Sequence, residues 1–368
     1  MHIVILEPFF TGSHAKWAQG YADHSDHQID LLTLPGRHWK WRMHGGAISL
    51  ARQFMTKNWQ PDLIIATDMI DLTTFLALTR KKTANCRTVL YFHENQLTYP
   101  WSPEDRDPAL QRDRHYAFVN YTSALAADQV LFNSQYHMNA FISELPVFLK
   151  AFPDFQESDL IPSLQQKSSV LPLGLDLRQF LPHKPTDATT SSAPLILWNH
   201  RWEYDKNPEE FFSTLFQLAD EGLHFQVAVL GERFAQSPPI FSQIQRRLGE
   251  RLIHLGFAPS FADYARWLWR ADILPVTSQH DFFGISVVEA IYCGCYPLLP
   301  RRQAYPEHLP AAVQSPFFYK DQDDLLQKTR QLLQNPALTE EVTLSDLVGR
   351  YDWQKQAPVY DSFFSQII

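Results

Sequence analysis

The chain has 368 residues, 45% hydrophobic and 14% aromatic, enough apolar material for two cores of ordinary size. A formal charge of −8, from 32 Lys and Arg against 40 Asp and Glu, argues against a broadly basic nucleic-acid-binding domain. Cys86, Cys293 and Cys295 form no disulfide framework or zinc-like pair, residues 2–6 are too short for a signal peptide, and no apolar run approaches membrane-spanning length. The expectation is a cytoplasmic protein with reduced thiols and no membrane partner.

Residues 2–6 predict a first strand, 7–14 (EPFFTGSH) a Gly-bearing turn, and Ala15 onward a helix. In a doubly wound sheet that unit faces ligands at strand carboxyl ends. A second strand over 29–34 leads into PGRHWKWRM, and no Asp or Glu occurs from Leu31 to Pro61. Arg37, Lys40 and Arg42 interleave there with Trp39 and Trp41. Cations neutralise phosphates and tryptophans stack on unpaired bases, so the segment fits a nucleic-acid contact. A packed, solvated face fits the same residues equally well.

Strands are predicted over 61–67 and 88–92, with an apolar helix over 72–79 between them. The second of these strands ends in His93-Glu94-Asn95-Gln96, four polar side chains that must meet a ligand or one another. A helix over 107–127 and a strand over 129–133 follow, and Asn133-Ser134 opens another helix, where Ser134 serves as an N-cap or a site residue. Residues 169–173 form a strand that ends in the turn Gly174-Leu175-Asp176.

A second α/β unit starts with a strand over 195–199, followed by Arg201 and Lys206. Arginine bridges diphosphate oxygens bidentately and lysine adds a point charge. Strands over 225–230, 252–255, 273–276 and 296–299 complete the unit. Its most informative stretch is QHDFFGISVVEAIYCGCYPLLP. Phe283-Gly284-Ile285 lies at a helix start, where unpaired N–H groups and the dipole favour an anion. Glu289 follows roughly 7–8 Å down the axis. Asp321-x-Asp323 opens a late helix as ordinary first-turn acids, so no metal site is expected there.

HDFFGISVVEAIYCG resembles the E-x7-E signature of retaining family-4 glycosyltransferases, with Asp281 where that family usually has the longer Glu. LEPFFTGSH, TLPGRHWKWRM, YFHENQLTYP, FNSQYH and HRWEYDKNPE narrow the resemblance to the tRNA-queuosine α-mannosyltransferase family, over most of the chain from Ile3 to about Pro306. The resemblance implies an α/β GT-B fold, two Rossmann-like doubly wound domains facing a cleft. Residues 1–181 would be the acceptor-side domain, 182–194 a linker, 195–350 the nucleotide-sugar domain, and 351–368 a helix crossing back to the first.

It further implies transfer of mannose from GDP-mannose to the cyclopentenediol of queuosine in a tRNA anticodon, with retention and without a metal or other cofactor. Arg201 and Lys206 would hold the diphosphate and Glu289 the ribose. Asp281, with the amides of Phe283 and Gly284 and beside Ile285, would hold the sugar. Gly256 and Phe257 would bracket the nucleobase. Gly12, Ser13, Asn133 and Ser134 would face the donor, with His93 near the anomeric carbon. His14, Arg37, Trp39, Lys40, Trp41, Arg42, Glu94, Asn95 and Gln96 would meet the acceptor. A different donor, a lipid, saccharide or small-molecule acceptor, and a non-catalytic nucleotide-sugar or RNA binder are the alternatives. The sequence carries no signal for an oligomeric state.

Overall fold

Strands that are apolar on both faces belong to parallel sheets covered by helices. Six of them, β1 (His2–Phe10), β2 (Gln28–Pro35), β3 (Leu63–Thr67), β4 (Arg87–Phe92), β5 (Gln129–Phe132) and β6 (Ser168–Val170), form one sheet. Its order is β2-β1-β3-β4-β5-β6 and every pairing is parallel. Helices α1 (Gly12–His24), α2 (Trp39–Thr56), α3 (Leu72–Thr83), α4 (Arg114–Ala126), α5 (Gln135–Lys150) and α6 (Ile161–Gln166) connect these strands.

A second parallel sheet has the order β12-β11-β10-β7-β8-β9. Its strands are β7 (Leu195–Trp198), β8 (Gln226–Val229), β9 (Leu252–Leu255), β10 (Ile273–Pro275), β11 (Tyr296–Pro300) and β12 (Phe318–Tyr319). They alternate with α7 (Pro208–Asp220), α8 (Ile244–Leu248), α9 (Phe261–Arg270), α10 (Ile285–Tyr292), α11 (Tyr305–His308) and α12 (Gln322–Gln334). Winding reverses between β1 and β3 in the first sheet and between β7 and β10 in the second. Ligands of doubly wound sheets sit outside the strand carboxyl ends at such switch points.

This computed structural model describes all residues except 104, 111–113, 187–192, 233–236 and 341–343. The chain divides into two units, Met1–Asp176 with Tyr351–Ile368, and Leu177–Arg350. The segment expected as a linker thus begins inside the second unit, and its residues 187–192 lie outside the described set. The C-terminal helix (Trp353–Ser365) returns to pack on α1 through an aromatic seam. The Trp17 indole donates to the Tyr360 hydroxyl at 3.1 Å, and the Tyr21 hydroxyl donates to Asp361 at 2.8 Å. Gly20 and Gly174 make room for Trp353: a Cβ at either would lie 2.1 or 2.2 Å from its ring.

Two boundaries differ from expectation. β1 runs on to Phe10, where it still pairs with Pro35, so α1 begins at Gly12 and takes Gly12 and Ser13 into its first turn. The tryptophan-rich segment, left without an assigned element by the sequence, is helical, because His38 turns the chain with φ 57° and α2 starts at Trp39. α4 starts at Arg114, well after the expected residue 107, and residues 111–113 of that expected helix lie outside the described set. Asp321 caps α12 by accepting from the Asp324 N–H at 2.9 Å, the ordinary role of an acid at a helix start.

Candidate active site

In the first unit, β1 delivers Glu7, completely buried, to the sheet's carboxyl edge. An unpaired buried carboxylate would be costly, and this one is paired on both oxygens. Oε1 accepts from the Phe9 N–H at 2.8 Å, and Oε2 meets His14 Nδ1 at 2.9 Å. β3 ends just before Asp68, which accepts the His93 backbone N–H at 2.8 Å. The His93 ring lies 4.3 Å from that of His14, 4.7 Å from Trp17 and 5.0 Å from Tyr91. Its Nε2 is buried without a hydrogen-bond partner among the described residues.

Electrostatics separates the two histidines. Burial disfavours the charge on His14, but the Glu7 carboxylate and its hydrogen bond override this and raise the pKa to about 9. Burial, and then the charges of His14 and His137, hold His93 well below the ordinary histidine range. Burial raises Asp68 to about 8 against the pull of His14. The edge therefore presents a cationic His14 beside a neutral His93. Ligand atoms of Glu7, His14 and His93 lie within 4.8 Å of one another, close enough for a divalent cation, although Glu7 already has His14 as its counter-charge.

The other polar residues of this edge largely build turns. Asn95 is completely buried, and its Oδ1 accepts from the N–H groups of Leu97 and Thr98 at 3.1 and 2.9 Å. The Gln96 side chain donates to Glu94 at 2.8 Å, and the Gln96 N–H donates to Asn120 at 2.8 Å. Asn133 donates to the His93 carbonyl at 2.9 Å, and Ser134 caps α5. The polar run foreseen at the end of β4 is thus tied into turn bonds, a Gln96–Glu94 pair and contacts with Asp68 and Asn120, and the His93 ring nitrogen Nε2 is the exception.

The tryptophan-rich segment requires a correction. Its stretch of sequence lacks acids, but its surroundings do not: Lys40 Nζ lies 2.8 Å from Asp105 and bonds Asp107 as well. Lys40 also sits over the Trp101 ring at 5.2 Å. Trp39 is partly buried against Trp101 and Tyr116, and Arg42 donates to the Pro35 carbonyl at 3.2 Å. Arg37 is exposed, and Trp41, 64% exposed, is the aromatic side chain that this segment offers to solvent.

In the second unit, β7 ends at the sequence Asn199-His200-Arg201. Arg201 is half exposed, 3.1 Å from Glu203. Lys206 is buried: Nζ donates to the His280 carbonyl at 2.9 Å and to Asp281 Oδ1 at 3.0 Å, and lies 2.9 Å from Asp205 Oδ2. The second Asp281 oxygen accepts from the Tyr305 hydroxyl. Burial alone would raise Asp281, but Lys206, His200 and the Tyr305 bond bring it down to about 2. His200, held neutral mainly by burial with a pKa of about 4, meets Ser286 Oγ at 3.2 Å.

α10 begins at Ile285 after Gly284, whose φ of +86° an L side chain rarely adopts. Asp281, Phe283, Gly284 and Ile285 therefore meet in one turn at the switch point, with Lys206 bonded directly to Asp281. Glu289 is 8% exposed, and its Oε2 accepts from the Tyr264 hydroxyl of α9 at 2.6 Å. Gly256 and Phe257 follow β9, and the Phe257 ring is 70% exposed. Reading the sequence missed Glu7 and Asp68, although each is an acid at the end of an apolar strand. It also missed Asp205, Tyr264 and Tyr305, which carry no local signal.

Comparison with known proteins agrees with this layout. Residues 2–175 match the family model "tRNA-queuosine alpha-mannosyltransferase N-terminal", and residues 184–343 match "Glycosyl transferases group 1". The Drosophila melanogaster tRNA-queuosine alpha-mannosyltransferase is 34% identical over 316 residues, covering 84% of this chain and 82% of that one. A GDP-mannose-dependent alpha-(1-6)-phosphatidylinositol dimannoside mannosyltransferase of Mycobacterium tuberculosis is 24% identical over 147 residues, 38% of this chain and 37% of its own.

Two solved structures share the fold. Sucrose-phosphate synthase from Thermosynechococcus elongatus has a TM-score of 0.70 at 15% identity, covering 100% of this chain and 99% of that one. Anabaena HepE in complex with UDP and glucose has a TM-score of 0.66 at 15% identity, covering 99% of each chain. With two parallel six-stranded sheets and this relationship, the chain is a GT-B glycosyltransferase and belongs to the tRNA-queuosine alpha-mannosyltransferase family.

Proposed function

We propose that this enzyme transfers mannose from GDP-mannose, with retention, to the cyclopentenediol of queuosine in a tRNA anticodon. The observation that carries the reading is the turn 281–285. It sets a fixed carboxylate, Asp281, beside the N-terminus of α10, with Glu289 about one turn further along the helix. A nucleotide sugar needs an anion cradle and carboxylates for its hydroxyls, and that turn supplies both. The relatives support the acceptor through the Drosophila protein's name and the donor through the mycobacterial one.

In this reading Arg201, the more exposed cation, meets the diphosphate oxygens, while Lys206 supports from below through Asp281. Glu289, positioned by the Tyr264 hydroxyl, accepts from the ribose hydroxyls, and Phe257 covers the base. The acceptor hydroxyl oxygen bonds to the anomeric carbon as the bond to the diphosphate oxygen breaks, and its proton passes to the departing diphosphate. Catalysis is then positioning and stabilisation of the leaving charge. Arg201 and the helix N–H groups serve the phosphates, so a divalent metal is redundant.

Trp41 and Arg37 are the acceptor-side groups best exposed for an RNA. A tRNA substrate is compatible with a cytoplasmic location. No described helix is long and apolar enough to cross a membrane. The test is a donor panel with queuosine-containing tRNA, following nucleoside diphosphate release. Release from GDP-mannose above other nucleotide sugars is expected. Preference for a different donor would overturn the donor assignment.

A further inference from the structure

We propose that Tyr305 is a positioning residue for the transferred sugar: its buried hydroxyl fixes the Asp281 carboxylate so that the remaining lone pairs are presented to a hexose hydroxyl in a set direction. This rests on the reading of Asp281 as the sugar-holding carboxylate.

An ionised carboxylate offers about four lone-pair sites. At Asp281 one oxygen takes the Lys206 ammonium at 3.0 Å and the other takes the Tyr305 hydroxyl. Each oxygen therefore keeps capacity for a further donor, while rotation of the carboxylate is prevented from both sides. Lys206 alone would leave the second oxygen free to swing.

The support reaches beyond one bond. Tyr305 is completely buried at the start of α11, and a Cβ on Gly284 would come within 3.0 Å of its ring. Glycine at 284 thus serves two ends, the left-handed backbone and the close approach of this tyrosine. At the far end of the same short helix, His308 Nε2 bonds the Phe283 carbonyl at 2.7 Å. One helical turn, Tyr305–His308, therefore holds the side chain of Asp281 at one end and the backbone beside Gly284 at the other. The Asp281 side chain is one methylene shorter than glutamate, and the tyrosine hydroxyl bonds its Oδ2.

The experiment compares wild type with Tyr305→Phe, Asp281→Asn, Asp281→Glu and the double variant Tyr305→Phe with Asp281→Glu. Tyr305→Phe keeps the ring against Gly284, so a melting temperature close to wild type is expected. Affinities are measured for GDP and for GDP-mannose, and turnover with queuosine-containing tRNA. For Tyr305→Phe, GDP affinity should stay at the wild-type value, GDP-mannose affinity should weaken, and kcat should fall roughly ten- to hundredfold from a misplaced carboxylate. The double variant should lose less than the product of the two single losses, because the side chains touch.

Equal loss of GDP and GDP-mannose affinity in Tyr305→Phe, wild-type turnover, or independent effects in the double variant would each overturn the inference. Asp281→Asn separates the two levels. If it abolishes transfer while Tyr305→Phe is unaffected, the role of Asp281 stands and that of Tyr305 falls. If Asp281→Asn behaves as wild type, the reading of Asp281 falls and this inference with it.

Discussion

Replacing Lys206 by Met tests the electrostatic logic of the donor unit. The side chains of Lys206, Asp205 and Asp281 are 8%, 3% and 19% exposed, so this ion cluster is largely withdrawn from solvent. Removing the cation leaves two carboxylates uncompensated, and breaking a buried pair from one side costs about 3–5 kcal/mol. For a unit of this size that corresponds to a fall in melting temperature of roughly 6–20 °C, at ~2–4 °C per kcal/mol. The deficit should be smaller in Lys206→Met with Asp205→Asn, which removes one stranded charge.

The deficit should also narrow in acid. The folded pKa of Asp281 is depressed to about 2, so its contribution is complete above the unfolded value of about 3.8 and is lost as pH falls through about 2. Without Lys206 that contribution is absent, and the two proteins should converge between those values. Scanning calorimetry at neutral and acid pH reads this directly. A Lys206→Met protein that melts with the wild type at neutral pH would show that Lys206 is not a buried counter-ion and would return it to the role of a phosphate ligand.

The Glu7–His14 pair has the opposite pH sign. Its histidine pKa is raised to about 9, so the pair's stabilisation is complete below the unfolded value of about 6.5 and lost as pH rises through about 9. The melting temperature gap between wild type and His14→Gln should close across that window. Trp41→Ala should weaken tRNA binding by about 1–3 kcal/mol, as for loss of a stacked base, without lowering the melting temperature, and filter binding beside a thermal melt checks both. Transfer activity should survive excess EDTA; complete loss, with rescue by Mg²⁺ or Mn²⁺, would direct attention to Glu7, His14 and His93 as metal ligands.

Contacts local in sequence were legible and contacts across loops were not. The stretch 281–291 declared its turn, its glycine and its buried helix through Val287, Val288, Ala290 and Ile291 around Glu289, and apolar strands interspersed with helices declared two parallel sheets. The GT-B architecture was equally readable from the family motifs. Lys40, by contrast, finds its acids 65 and 67 residues away, so a stretch without Asp or Glu did not mean an unneutralised cation. Tyr264 and Tyr305 reach Glu289 and Asp281 from separate helices 25 and 24 residues distant, and nothing in their own neighbourhoods marks them. At the end of β4 the polar run was legible as an anomaly, but its resolution by Asn95 turn bonds and a Gln96–Glu94 pair depends on backbone geometry that composition does not carry.

Incubation of the protein with GDP-mannose and total tRNA, with the nucleosides followed by mass spectrometry, tests both the acceptor and the sugar it receives. Queuosine should be converted to a product heavier by one hexose residue, and no conversion should occur when GDP-mannose is omitted. Unchanged queuosine with every nucleotide sugar tried, alongside transfer to a free diol, a saccharide or a lipid, would contradict the proposed function.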